Sequence, residues 1–394
     1  MKYDFDAMHN RRIAGDIKYN CPSDVIPMWV ADMDFKVPNE ISDALIKEAK
    51  HGIFGYKEPD EEYMSLVTQW YKLRFDWEIR PEHIITSPGV MFSIGASINA
   101  LTEIGDSILI CQPVYYPFSK IVTANKRKLV ISELTETNGR YQFNFDDIET
   151  KIKKHSVKMF LLCSPHNPVG RVWTKDELKK IGNICLANNV TIVSDEIHSD
   201  FIYQGNTHTP LASISDELAK ITVTCTAPSK TFNLAGLQAS NTVVFDPVIR
   251  RKIEKSIAAS GYFEINTMAS VSTKAAYQYG GEWLDGLLSY LEESRQILQK
   301  AFPTDFPISL IQPEGTYLAW LDCRKTELAS TKLYDIFLNK ARVWLHKGDT
   351  FGKSGNGFMR LNFACPHSVL CEAIDRIKYS ECIFDTISQI ISSV

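Results

Sequence analysis

Five short apolar runs punctuate the middle of this chain: SILIC (107–111), VKMFLLC (157–163), VTIVS (190–194), ITVTC (221–225) and NTVVF (241–245). A strand with one wet face alternates polar and apolar residues, whereas a near-continuous apolar strand has to be covered on both faces. Helical patterns separate some of the runs. In TKDELKKIGNICLANN (174–189), Thr174 precedes Glu177 by three positions, the spacing of a capping box at a helix start. Doubly covered strands alternating with helices predict an α/β fold with a mostly parallel central sheet.

The 394 residues exceed what one simple core organises, so a second, smaller domain is expected. The last third has a different rhythm: a helical stretch near 282–301, TYLAWLD (316–322), a helix near 331–341 and GFMRLNF (357–363). We expect a large domain over 46–284 and a smaller α+β domain over 285–394. The Pro-rich segment 1–45 does not suit the sheet core and is expected to join the small domain. Ile383, Ile387, Ile390, Ile391 and Val394 recur at helical spacing, predicting a terminal helix packed on that domain.

Composition narrows the class. Hydrophobic residues make up 44%, charged residues 23%, and the net charge is −4, an ordinary globular balance. No basic stripe calls for nucleic acid, no polybasic run calls for a membrane surface, and no apolar run has the length of a span. MKYDFDAMHNRR lacks the apolar stretch of a signal peptide. The nine cysteines form no CxxC pair, and Cys111, Cys163 and Cys225 end apolar runs. Buried thiols in a reducing, cytoplasmic setting are expected.

The chemistry-bearing residues sit just past those runs, where the carboxyl edge of a parallel sheet collects binding sites. Lys230, in TAPSKTFN, follows ITVTC; an amine held there out of water loses proton affinity and becomes a nucleophile toward carbonyls. A solvated lysine is the plain alternative. Asp195 follows VTIVS within SDEIHSD, with His198 three residues on; a carboxylate at a buried strand end needs a cationic or hydrogen-bonding partner, or serves simply as a cap. Asn167 lies in the turn SPHNPVGR, and Tyr115 or Tyr116 in CQPVYYPF could stack a flat ring or merely close the core. In TSPGVMFSIGASINAL, Gly89 precedes a helix whose free N–H groups would suit a phosphate. Arg360, on the apolar strand GFMRLNF, calls for an anion: a substrate carboxylate, or an internal partner such as Asp322. GDTFGKS (348–354) imitates a phosphate-binding loop, but three residues separate Gly348 from Gly352 where that motif has four.

Together these motifs carry a resemblance. PMWVADMDF (27–35), SPHNPVGRVW (164–173), SDEIHSDF (194–201), APSKTFNLAGLQ (227–238) and MRLNFACP (359–366) are similar, over almost the whole chain, to fold-type I pyridoxal-phosphate enzymes of the aspartate-aminotransferase superfamily. The chain most resembles the cystathionine β-lyase branch, the MalY/PatB family of C–S lyases. The resemblance implies that Lys230 holds pyridoxal 5′-phosphate covalently and moves protons. It implies that Asp195 pairs with the pyridine nitrogen, Asn167 binds the phenolic oxygen, and Tyr115 stacks on the ring. Gly89, Val90 and Met91 would offer backbone contacts to the phosphate, with Ser229, and Tyr56 would reach it from the other subunit of a homodimer. Arg360 would clamp the α-carboxylate, with the loop that contains Val30 and Ala31 lining the substrate pocket.

The chain departs from the wider pattern at His198, where many aminotransferases have a cofactor-contacting tyrosine, and at Ala227 and Gln238, where many have a phosphate-binding serine and arginine. Ser164 replaces a frequent asparagine. The implied reaction is α,β-elimination of cystathionine- or cystine-type L-amino acids to thiol, pyruvate and ammonia. A class I/II aminotransferase using the same Lys230 is the alternative, and a catalytically silent relative kept as a binding partner is a third reading.

Overall fold

The computed structural model describes residues 3–379. The tail isoleucines at 383–391 and Val394 lie outside that range. Among the described residues a seven-stranded sheet runs through the larger part of the molecule, built from β1 (Ile84–Ser87), β2 (Ser107–Gln112), β3 (Lys128–Glu133), β4 (Val157–Cys163), β5 (Thr191–Asp195), β6 (Thr222–Thr226) and β7 (Ser240–Val244). Their spatial order is β1-β7-β6-β5-β4-β2-β3. Every neighbouring pair from β6 across to β3 is parallel, while β7 runs antiparallel to both β6 and β1. The five apolar runs are five of these strands. The two missed strands are the edges, where a strand has one neighbour and its pattern is diluted: Lys128 and Glu133 at the ends of β3 are exposed.

Continuous apolarity has the expected cause. Leu109, Phe160, Leu162 and Ile192 point into one apolar layer, and Ile108, Ile110, Leu161 and Val193 into the layer on the opposite face. The helix Lys175–Ala187 covers the first layer with Leu178, Ile181 and Cys185, and begins at Thr174, whose hydroxyl accepts from Glu177 N while Thr174 N donates to the Glu177 carboxylate.

A second, antiparallel sheet consists of β8 (Ser309–Ile311), β9 (Leu318–Asp322), β10 (His346–Lys347) and β11 (Phe358–Asn362), in the order β8-β9-β11-β10. The N-terminal segment joins the C-terminal part of the chain through Ile26–Pro27, which pairs in parallel with Val343–Trp344 in a separate two-stranded sheet. The divisions expected at 45/46 and 284/285 fall inside α1 (Asn39–His51) and the helix Gly281–Ala301, so neither coincides with a loop. Both helices contribute to one apolar cluster that also takes in Leu318, Met359 and Leu361 of the small sheet. Among the described residues no helix is long and apolar enough to cross a membrane.

Candidate active site

Four adjacent parallel strands, β6, β5, β4 and β2, end on the same sheet edge, and four loops leave there. After β6 comes a single helical turn, Pro228–Thr231, that carries Ser229 and Lys230. Asp195 is the last residue of β5. Asn167 follows β4 in a turn whose Gly170 has φ +71; a Cβ there would sit 2.8 Å from Pro313 Cβ, so the turn needs glycine. Tyr115 follows β2. The small sheet brings Arg360 on β11, and the N-terminal segment brings Trp29, Val30 and Ala31.

These residues converge on one cavity of about 390 Å³. Lys230, Asp195, Asn167, Tyr115 and His198 line it, together with Gly89, Val90, Met91, Ser229, Arg360, Val30 and Ala31. Tyr56 is the exception. It is 93% exposed and lies in an adjoining groove that shares Pro88 and Gln238 with the cavity.

Burial sets the electrostatics. The Lys230 amine, donating to Ala31 O at 2.6 Å, is brought down to about 8. The Asp195 carboxyl is pushed up to about 7, because burial outweighs the single bond it accepts from Ile197 N at 3.2 Å and the attraction of Lys230. Burial, reinforced by Lys230 and Arg360, brings the His198 imidazole down to about 3, so it is neutral. Among the described residues Arg360 meets no carboxylate. Its guanidinium donates to Asn167 Oδ1 at 3.0 Å and to Trp29 O at 2.7 Å, lies 4.8 Å from the Phe351 ring centre, and leaves Nε buried without a partner. The internal partner considered for it, Asp322, is taken by Arg324 at 2.6 Å.

Several contributors were not legible as site residues. His346, paired directly across from Arg360 where β10 meets β11, lines the cavity and sits 3.4 Å from the guanidinium. Tyr317 donates to Ala31 O at 3.0 Å, and Asn362 to Val30 O at 2.5 Å and Asp32 O at 2.6 Å. Asn362 shares a strand face with Arg360, which was the one available signal; His346 and Tyr317 carried none.

The residues fit pyridoxal phosphate. The helix α2 (Val90–Leu101) starts after Gly89 without a side-chain cap, which leaves its first N–H groups without a side-chain partner where Gly89, Val90 and Met91 line the cavity. Gly89 has extended backbone, φ 168, and a Cβ there would meet nothing within 4 Å, so it is open space rather than strain that the missing side chain provides. Nδ1 of His198 is buried without a partner, and Asp195 holds a buried carboxyl with no cation in bonding distance. A phosphorylated pyridinium ring supplies the anion and the cation that these groups lack.

Residues 23–377 match the family described as aminotransferase class I and II. The chain is 43% identical over 357 residues to cystathionine beta-lyase PatB of Bacillus subtilis (strain 168), covering 90% of this chain and 92% of that one. It is 30% identical over 352 residues to protein MalY of Escherichia coli (strain K12), covering 88% and 89%. Among solved structures it is similar to cystalysin from Treponema denticola, which contains a pyridoxal 5′-phosphate cofactor, with TM-score 0.94 and 37% identity over 98% of this chain and all of that one. With the lysine, the buried carboxyl and the open helix start on one sheet edge, the chain belongs to the class I and II aminotransferase family of fold-type I, pyridoxal-phosphate-dependent enzymes.

Proposed function

We propose that this enzyme is a carbon–sulfur β-lyase that eliminates thiol from cystathionine- or cystine-type L-amino acids. The observation that carries the reading is the inventory of positive charge in the cavity: among the described residues, Lys230 and Arg360 are the lysine and arginine lining it. Arg360 serves one carboxylate, and a second cation for a short side-chain carboxylate, as exchange of aspartate requires, is not placed there. The kinship with PatB and cystalysin points the same way.

Pyridoxal phosphate, when bound, supplies an electron-withdrawing ring that accommodates the electron pair left at Cα. Arg360 takes the α-carboxylate through its fork and orients the Cα–H bond. Lys230, whose amine is brought near neutrality by burial, accepts the Cα proton. Asp195 holds its carboxylate ready for the ring nitrogen, and Asn167 and Tyr115 fix the plane of the ring. The C–S bond then breaks, the sulfur leaves with the bonding pair and takes up a proton to become a thiol, and the three-carbon aminoacrylate that remains tautomerises to an imine, which water hydrolyses to pyruvate and ammonia.

Ser229 and the amides of Gly89, Val90 and Met91 hold the phosphate. Tyr56, standing in water on the isolated chain beside exposed Ile53 and Phe54, reaches the phosphate of a second copy in a homodimer. The cytoplasm suits the thiols: of the eight described cysteines none is in a disulfide, and six are buried. The test is product balance. Cystathionine or cystine should give pyruvate, ammonia and a sulfur product in step without an added 2-oxoacid. Turnover that stops after one cycle until a 2-oxoacid is supplied would make the enzyme an aminotransferase.

A further inference from the structure

The loop Trp29–Met33 has no regular structure, yet each of its carbonyls is held by a side chain. Arg360 takes Trp29 O, Asn362 takes Val30 O, Lys230 and Tyr317 share Ala31 O, Lys18 and Asn362 share Asp32 O, and Arg11 and Asn233 share Met33 O. The Ala31 oxygen is thus the resting acceptor of the Lys230 amine.

The next residue, Asp32, is gripped from the far side. Arg11 binds both its carboxylate oxygens, at 3.1 and 2.8 Å, and Lys18 lies 3.5 Å from one of them. Lys18 is itself 1% exposed and donates to Asp34 at 2.9 Å. A buried lysine tied to two carboxylates is costly to keep unless the geometry is used. We propose that Asp32 is a positioning residue for Lys230: gripped by Arg11 and Lys18, it fixes the Ala31 carbonyl where the amine rests and sets a negative charge beside that amine.

The groups facing Lys230 come from four sides: Asp32 from the loop, Arg360 from β11, Asp195 from the end of β5 with His198 just after it, and Tyr317 through the shared oxygen. Burial pulls the amine down; Asp32 is the first of the charges that oppose it, ahead of Asp195, while Arg360 adds to the fall. Asp32 can play this part because Arg11 and Lys18 overcome its own burial and hold it below the usual carboxylate range. Its charge keeps the released amine able to carry the proton it takes from Cα.

The proposal rests on Lys230 being the attachment lysine, and two readings test it. The first is the pH midpoint of cofactor uptake, followed by absorbance in the full chain after the cofactor has been removed; the second is the acid limb of kcat in the loaded enzyme. Asp32→Asn is expected to lower both midpoints by about half a pH unit or more, because the uncharged amine forms more readily. Lys18→Met should raise both, since it leaves Asp32 less neutralised, and Asp32→Glu should restore the wild-type midpoints. A clamp that only held the loop would slow uptake at every pH in both variants and move neither midpoint. Unchanged midpoints, or shifts of the same sign in Asp32→Asn and Lys18→Met, would overturn the proposal. Lack of uptake by the wild-type chain at any pH would overturn the attachment reading and this one with it.

Discussion

Burial moves Lys230 and Asp195 toward each other on the pH scale, the amine down to about 8 and the carboxyl up to about 7. Each shift makes a prediction. Borohydride reduction of the loaded enzyme followed by peptide mapping should place the pyridoxyl mass on Lys230; a label on another lysine would end that assignment. Asp195 titrates higher in the folded chain than at its ordinary value of 3.8, so its contribution to stability is complete below about pH 4 and is lost as the pH rises through about 7. The loss is on the order of 4 kcal/mol for a fully buried group. In the chain stripped of cofactor, Asp195→Asn should therefore raise the melting temperature at pH 8 and change it little at pH 4, while weakening cofactor binding. A variant equally stabilised at both pH values would show that burial of the charge is not the cause. Arg360→Lys keeps the charge and loses the fork. A KM increase of tenfold or more is expected, from about 1.5–3 kcal/mol of charged hydrogen bonding, with the bound cofactor's spectrum intact. An unchanged KM would leave Arg360 a structural residue held by Asn167 and Trp29.

At the scale of elements, the start of α2 is the feature to probe. Its first amides lack a side-chain cap, and Gly89 opens onto the cavity with a backbone that any residue adopts. Gly89→Val should therefore fold normally but fill the space in front of those amides. Cofactor retention should fall about tenfold, which one to two lost hydrogen bonds account for, with the far-ultraviolet circular dichroism unchanged. Wild-type retention on dialysis would mean that the phosphate lies elsewhere. The edge strands β1 and β3 and the antiparallel β7 belong to this scale too. Periodicity reports how many faces of a strand are covered, not which neighbour covers it or in which direction that neighbour runs.

For the whole molecule, the question is where the phosphate finds its remaining donor. Ala227 is buried and Gln238, with φ +57, lies between the cavity and the groove of Tyr56. If a partner's tyrosine completes the site, sedimentation should show a dimer, and Tyr56→Phe should weaken cofactor retention by a hydrogen bond, about 0.5–1.5 kcal/mol. A monomer that keeps its cofactor would refute this.

The apolar runs by themselves determined a doubly covered sheet, and the residues behind four of them, Tyr115, Asn167, Asp195 and Lys230, were readable because a parallel sheet sends its carboxyl ends to one edge. The capping box at Thr174 was equally local. What tertiary structure alone decided is the opposite wall. Arg360 faces Asn167 rather than Asp322 because β9 and β11 pair Trp320, not Asp322, with Arg360. His346 joins through the pairing of β10 with β11, and Arg11 and Lys18 hold the substrate loop across a gap of 14 to 23 residues. Such contacts depend on register and on the packing of separate segments, and spacing along a chain carries no record of either.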